Sequence, residues 1–143
     1  MTALYLIAAV DGRGIAIDAG QIDSVIDVGE IVAVPRVGTA IRGLAALRSR
    51  VVTVIDTRQL LGGRPAPEGV RRAVTTMIDG HLYAFLVDSL EDVAPFEPQP
   101  LAAGMALGGG WRDAGTGLIE RDGEPLLIVD LAALARSAPA LAA

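Results

Sequence analysis

The chain has 143 residues, enough for one domain of ordinary size or for two small lobes that share a core. It contains no cysteine and no lysine, which excludes disulfides, thiolate metal sites, a cysteine nucleophile and lysine-based covalent or phosphate-loop chemistry. The net charge of −5 argues against nucleic acid as the main partner. No segment reads as a membrane span or a signal peptide, so we expect a cytoplasmic protein.

The first half of the chain reads as short strands. An apolar N-terminal run predicts a buried strand, and Asp11-Gly12 predicts a hairpin turn after it. The predicted extended segments are 1–10, 15–18, 30–34 and 50–55. Residues 19–28 are predicted to form one helical turn followed by a strand. A short helical piece is expected across 40–47. The run 50–55 is the strongest strand, because Val51, Val52, Thr53, Val54 and Ile55 are all β-branched.

The second half starts again after a Gly- and Pro-rich linker at 62–70. Predicted strands cover 72–78, 82–88, 116–121 and 125–129, with Asp79-Gly80 and Asp122-Gly123 as turns. Residues 101–117 are rich in glycine and predict a loop or an irregular crossover. The tail from 132 predicts one or two helical turns that fray.

A weak internal repeat predicts two lobes. Asp11-Gly12 followed by a strand parallels Asp79-Gly80 followed by a strand. A strand, an aspartate and a short helix occur in turn at Asp56 and again at Asp130. Either carboxylate can accept hydrogen bonds from the free N–H groups of the helix that follows it.

The most informative stretch is residues 41–62. It reads as a turn, then a buried strand, then the charged residues Asp56 and Arg58, and Gly62-Gly63 ends it. Its spacing resembles the signature of CheW-like domains, the coupling proteins of bacterial chemotaxis. The matching residues are Gly43, Leu47, Arg48, Val52, Val54, Asp56, Arg58, Leu61 and Gly62. The chain differs at Ala46, Ser49 and Thr53, where the family usually has Asn, Gly and Pro. The resemblance extends over nearly the whole chain.

The resemblance implies a mainly β fold. The family has two SH3-like five-stranded β-barrel lobes that share a hydrophobic core, with short helices and both termini in one lobe. We therefore expect a single domain over 1–143. The expected lobe boundaries are roughly 13–64, completed by the C-terminal segment or an exchanged N-terminal strand, and roughly 70–130.

The resemblance also implies a non-catalytic adaptor without cofactors. Its expected partners are the regulatory domain of a CheA-type histidine kinase and the tip of a chemoreceptor's cytoplasmic hairpin. An alternative keeps the fold and changes the pathway, so that the module serves a histidine kinase outside chemotaxis. A second alternative is a small hydrolase built on His81, the only histidine, although a residue just after Asp79-Gly80 reads better as an exposed turn residue.

Arg48 is the sharpest candidate for partner binding, and two interpretations stand. It forms an ion pair with Asp56 at the far end of the strand, it contacts a partner chain, as the family arginine is implicated in doing, or it does both. Further residues match family positions near a partner surface or support such a position: Gly43, Ile22, Ser24, Ile41 and Leu47. Gly43 fits close backbone approach, Ile22 fits core packing equally well, and Ser24 stands where the family commonly has Glu. Structural roles are expected for Asp56, Arg58 and Asp130.

Overall fold

The computed structural model describes residues 2–35, 38, 40–101, 111 and 114–138. Within them, the strands form two five-stranded sheets with a few short helices between them. The expected mainly β fold with two five-stranded lobes is therefore confirmed. None of the described helices is both long enough and apolar enough to cross a membrane.

One sheet is built from both ends of the chain, and we call its lobe the terminal lobe. Its strands are β1 (Ala3–Val10), β2 (Arg13–Asp18), β8 (Ser89–Phe96), β9 (Gly115–Arg121) and β10 (Glu124–Val129). The other sheet forms the central lobe. Its strands are β3 (Ser24–Asp27), β4 (Ile41–Leu47), β5 (Arg50–Ile55), β6 (Arg72–Ile78) and β7 (His81–Leu86). Helix α1 (Thr57–Leu60) follows β5, helix α2 (Leu131–Ser137) follows β10, and a 3-10 helix (Ala19–Gln21) follows β2.

The two sheets have the same topology. Their orders are β8-β1-β2-β10-β9 and β3-β6-β7-β5-β4, and each contains one parallel pair, β2 with β10 and β7 with β5. In each lobe a short helix follows the fourth strand of that order. The internal repeat predicted from the Asp-Gly turns and the strand–aspartate–helix pattern is therefore present in the fold.

Each sheet also has its two edges joined by one backbone bridge. Val32, just beyond β3, exchanges two hydrogen bonds with Leu44 of the opposite edge strand, at 2.8 and 2.9 Å. Gln99, just beyond β8, does the same with Leu118, at 2.7 and 2.8 Å. At each bridge, the backbone groups of the edge strand are paired within the lobe and so are not free to pair with another chain.

The lobe boundaries expected from the sequence, 13–64 and 70–130, do not describe this division. The central lobe takes the continuous stretch 24–86, and the terminal lobe takes the segments on either side. The physical reason is the parallel pairing of β5 with β7 across the 62–70 linker, which keeps both sides of the linker in one sheet. The first and last described strands, β1 and β10, both belong to the terminal lobe.

The expected helical piece across 40–47 is also wrong. This segment is β4, and its residues alternate between buried and less buried positions as it pairs antiparallel with β5. Alanine and leucine favour a helix locally, but pairing with a strongly β-branched neighbour overrides that preference.

A shared core lies between the two lobes. It contains Leu6 and Ile17 from the terminal lobe, Val74 and Phe85 from the central lobe, and Leu134 from α2. Each barrel interior has its own smaller cluster, with Ile7 and Ile119 in one and Val52 and Ala84 in the other. The shared core ties the lobes together as one unit.

Candidate functional site

Arg48 and Ser49 are the two central residues of the turn between β4 and β5. Leu47 pairs with Arg50, so the loop has only these two residues. Both have positive φ angles, 48° and 69°, as a type I′ turn requires. Both side chains are exposed. The hairpin therefore holds Arg48 outward at one end of the central lobe.

Three other two-residue hairpin turns in the described chain have the same backbone form. They are Asp11-Gly12, Asp79-Gly80 and Asp122-Gly123, and all six of these residues have positive φ. Aspartate and glycine suit that conformation, whereas arginine and serine do not. The β4–β5 turn is thus the strained member of a set of four.

Of the two interpretations of Arg48, the ion pair with Asp56 is wrong. The partner of Asp56 is Arg42, whose Nη2 lies 3.2 Å from Asp56 Oδ2. Among the residues that the structure describes, no acidic side chain forms an ion pair with Arg48. Its guanidinium is left facing solvent.

An exposed surface surrounds this turn, which we call the hairpin-end surface: Arg48, Ser49, Arg50, Val51 and Met77. Val51 is 65% exposed and Met77 is 39% exposed. The Nη2 of Arg50 lies 3.8 Å from the sulfur of Met77. A shallow cavity of about 380 Å³ beside them includes Arg50, Val51 and His81. The surface combines apolar side chains with two arginines in a chain that is acidic overall.

The other residues predicted near Arg48 lie inside the central lobe. A Cβ on Gly43 would lie 2.2 Å from the backbone oxygen of Val32, and its φ is 146°. Glycine is required where the bridge between the sheet edges crosses β4. Ile41 is buried in the shared core, and Leu47 packs partly buried on the central-lobe cluster. These three support the hairpin and do not form its exposed surface.

Ile22 and Ser24 lie where the chain passes from the terminal lobe to the central lobe. Ile22 is partly buried against the shared core. The hydroxyl of Ser24 lies 2.6 Å from that of Thr75 on the neighbouring strand. Ser24 pairs with Thr75 of β6, two residues from Met77 of the hairpin-end surface.

Asp56 and Asp130 are N-caps of α1 and α2. Asp56 is buried, accepts from Gln59 N at 3.3 Å and from Ala66 N at 2.8 Å, and pairs with Arg42. The same Arg42 group also donates to the backbone oxygen of Ala66. Asp130 accepts from Ala132 N at 2.9 Å. The buried network at Asp56 fixes the 62–70 linker against the central lobe.

Arg58 joins the two lobes. Its Nε and Nη2 donate to the carboxylate oxygens of Asp88 at 3.0 and 2.9 Å, a two-point pair. It also lies 3.5 Å from Asp11 in the first turn of the terminal lobe. The hydrogen bond with Asp88 raises the pKa of the Arg58 guanidinium. The sequence indicated Arg58 but not Asp88, because nothing local to Asp88 shows that it faces α1.

Gln21 makes the corresponding link to the start of α2. Its Nε2 donates to Asp130 Oδ1 at 2.8 Å, and its Oε1 accepts from Leu131 N at 3.0 Å. Gln21 and Asp88 each sit where the chain changes lobes, and each holds the start of a short helix. Gln21 was not identified from the sequence, because its partner is 109 residues away.

A cleft of about 540 Å³ lies at the Arg58 side of the junction. Val10, Asp11 and Arg13 line it from the terminal lobe. Arg58, Leu61, Gly62, Gly63 and Trp111 complete the lining. The Arg13 guanidinium lies 5.3 Å from the centre of the Trp111 ring, within cation–π range. The cleft and the hairpin-end surface are at opposite ends of β5, about 20 Å apart for a six-residue strand.

The alternative based on His81 finds little support in this geometry. His81 is the exposed first residue of β7. In the described ranges, no group of three His, Asp or Glu side chains is placed to hold a metal ion.

These features define a two-lobed β protein of the kind seen in chemotaxis scaffolds. The chain is similar to the scaffolding protein TtCheW from Thermoanaerobacter tengcongensis, with a TM-score of 0.79 and 19% identity over 91% of this chain and 90% of that one. The family model of the CheW-like domain matches residues 4–138, and the chain belongs to that family. The comparison with curated protein sequences returns no match. Membership supports a scaffold or adaptor role in chemotaxis signalling.

Proposed function

We propose that this chain is a cytoplasmic, non-catalytic adaptor that couples chemoreceptors to a CheA-type histidine kinase. The observation that carries the proposal is Arg48, which a strained turn holds outward without an ion-pair partner among the described residues. An exposed guanidinium beside apolar side chains is suited to a partner that presents both a carboxylate and an apolar patch.

The hairpin-end surface is the proposed docking site for the kinase regulatory domain. Val51 and Met77 would supply the apolar contact, and Arg48 and Arg50 the charged contact. Arginine is among the residues that most often dominate binding energy at interfaces. Contact with the kinase at this end leaves the junction cleft open.

The junction cleft is the proposed site for the tip of a receptor hairpin. Trp111 would offer the apolar contact to an amphipathic helix, since Val10 and Leu61 are buried, and Arg13 offers a charged contact at the rim. The two sites are about 20 Å apart, and the adaptor role requires that both partners bind at the same time. An adaptor of this kind shifts the kinase equilibrium through contacts that differ between kinase states.

The proposal is tested by titrating the chain with the kinase regulatory domain and, separately, with a receptor hairpin fragment, both from the same organism. Arg48→Glu is compared with Arg64→Glu, which makes the same charge change at an exposed position in the linker. We expect Arg48→Glu to weaken kinase binding about tenfold or more and Arg64→Glu to leave it unchanged. If the unmodified chain, Arg48→Glu and Arg64→Glu all bind the kinase domain with the same affinity, Arg48 is not part of the interface.

The alternative role, as a module for a kinase outside chemotaxis, has one supporting observation. Ser24 stands where the family commonly has Glu and so offers no carboxylate to a receptor, and its hydroxyl is already hydrogen-bonded to Thr75 within the chain. That role predicts kinase binding without binding of the receptor fragment, so the same titrations separate the two.

A further inference from the structure

The β4–β5 turn contains Arg48 and Ser49, two residues that its backbone conformation does not favour. The other three turns of this form use Asp-Gly, and each glycine has a φ between 77° and 81°. Ser49 has the equivalent conformation, with φ 69°, and carries a Cβ there. A glycine at this position would form the turn with less strain. Turn formation therefore does not favour the serine side chain at this position.

The Ser49 side chain also has no hydrogen-bonding role among the described residues. Its side chain is exposed, and within the described part of the chain its hydroxyl makes no hydrogen bond. Arg48 precedes it and Arg50 follows it, both exposed. The hydroxyl therefore sits between two cations on a hairpin tip whose conformation is fixed by the ladder of β4 with β5.

We infer that the Ser49 hydroxyl is a second binding group beside Arg48 and donates a hydrogen bond to a carboxylate on the kinase regulatory domain. This inference rests on the proposed function and specifies the chemistry of its kinase site. A carboxylate is the group that fits, because it can accept from a guanidinium and from a hydroxyl at once. Ser49 would then help to determine which kinase the adaptor binds.

The decisive variant is Ser49→Gly, because strain and binding predict opposite changes for it. Removing the Cβ relieves the turn, so the melting temperature should rise by about 2–4 °C. Removing the hydroxyl deletes one bond to a charged group, so the dissociation constant for the kinase regulatory domain should rise about tenfold. A more stable protein that binds more weakly is the expected result.

Gly123→Ser serves as the matched control. It places serine at the equivalent position of the β9–β10 turn, where a Cβ meets nothing within 4 Å and φ is 81°. This variant should lose about the stability that Ser49→Gly gains, with unchanged kinase binding. The stability change of Gly123→Ser measures the strain that a serine causes in this backbone conformation, at a site far from the proposed contact.

Two further variants define the chemistry. Ser49→Asn tolerates the same backbone conformation and keeps a donor, so it should bind more tightly than Ser49→Gly. Ser49→Asp tolerates the backbone equally but repels a carboxylate, so it should bind most weakly.

The inference is overturned if Ser49→Gly binds the kinase domain as tightly as the unmodified chain, or more tightly, while Arg48→Glu still weakens binding. In that case the proposed function stands and Ser49 is only a tolerated turn residue. If neither variant alters kinase binding, the hairpin-end surface is not the kinase site and both proposals fail.

Discussion

Gly43 and Gly117 occupy equivalent positions in the two lobes, each directly beneath the carbonyl of the segment that joins the sheet edges. A Cβ on Gly43 would lie 2.2 Å from Val32 O, and one on Gly117 would lie 2.7 Å from Gln99 O. Both bridges thus require a glycine at the point where one backbone segment crosses another. The family resemblance had indicated Gly43 as a candidate near the binding site, and the structure gives it a role in closing the lobe.

We expect Gly43→Ala to lower the free energy of unfolding by about 2–4 kcal/mol, because the added Cβ must displace backbone and because φ there is 146°. Urea denaturation measures the change. Gly29→Ala is the control, since a Cβ there meets nothing within 4 Å, and it should change stability by less than about 0.5 kcal/mol. Equal effects of the two substitutions would contradict the role of Gly43 in the bridge.

The pair Arg58–Asp88 should show a measurable coupling energy. Its side chains are 21% and 22% exposed and meet at two points, so a double-mutant cycle with Arg58→Met and Asp88→Asn should give about 1 kcal/mol. The more exposed pair Arg72–Asp27, at 47% and 67%, should give close to zero in the same cycle. A coupling at Arg58–Asp88 no larger than that of the exposed pair would rule out its role at the junction.

Gln21→Ala should loosen the C-terminal helix. The substitution leaves Leu131 N without its acceptor and removes a donor from Asp130, at a cost of about 1–2 kcal/mol. Hydrogen exchange of the α2 amides should become faster. Gln21→Glu can still accept from Leu131 N but faces Asp130 as a like charge, so it should be less stable at neutral pH than Gln21→Ala. Unchanged protection of α2 in both variants would show that Gln21 does not hold it.

Stability at alkaline pH should depend on Tyr5. Burial, and secondly the negative charge of Asp18, raise the pKa of the Tyr5 hydroxyl above its ordinary value of 10.0. Between the ordinary pKa and the raised one, the native state keeps a proton that the unfolded state has lost. Stability is therefore unaffected below about pH 10 and falls as the pH rises beyond it.

Tyr5→Phe should flatten that decline. Unfolding free energies measured by urea denaturation from about pH 8 to about pH 11 provide the comparison. The prediction is wrong if the variant and the unmodified chain lose stability at the same rate above about pH 10.

The local features of the fold could be predicted from the sequence. The Asp-Gly turns and the aspartates at Asp56 and Asp130 act within a few residues, so short patterns specify them. The β-branched run of β5 was equally clear. The segment 40–47 was not, because its alanines and leucines become a strand only through pairing with β5.

The long-range features could not be predicted. The central lobe is defined by the parallel pairing of β5 with β7 across the linker, which no local pattern encodes. Arg42 and Arg48 lie six residues apart, and both precede β5, which Asp56 directly follows. Which of them reaches Asp56 depends on the hairpin turn, which sends Arg48 to the other end of the strand. Gln21 and Asp88 act on helices that are distant in the sequence.

The most direct test of the adaptor role is the mass of the complex formed when the chain is mixed with the kinase regulatory domain and the receptor hairpin fragment. Multi-angle light scattering after size exclusion provides it. We expect one complex that contains all three components, and with Arg48→Glu a complex that retains the receptor fragment but has lost the kinase domain. If the two partners displace each other, or if Arg48→Glu forms the full complex as readily as the unmodified chain, the central claim is contradicted.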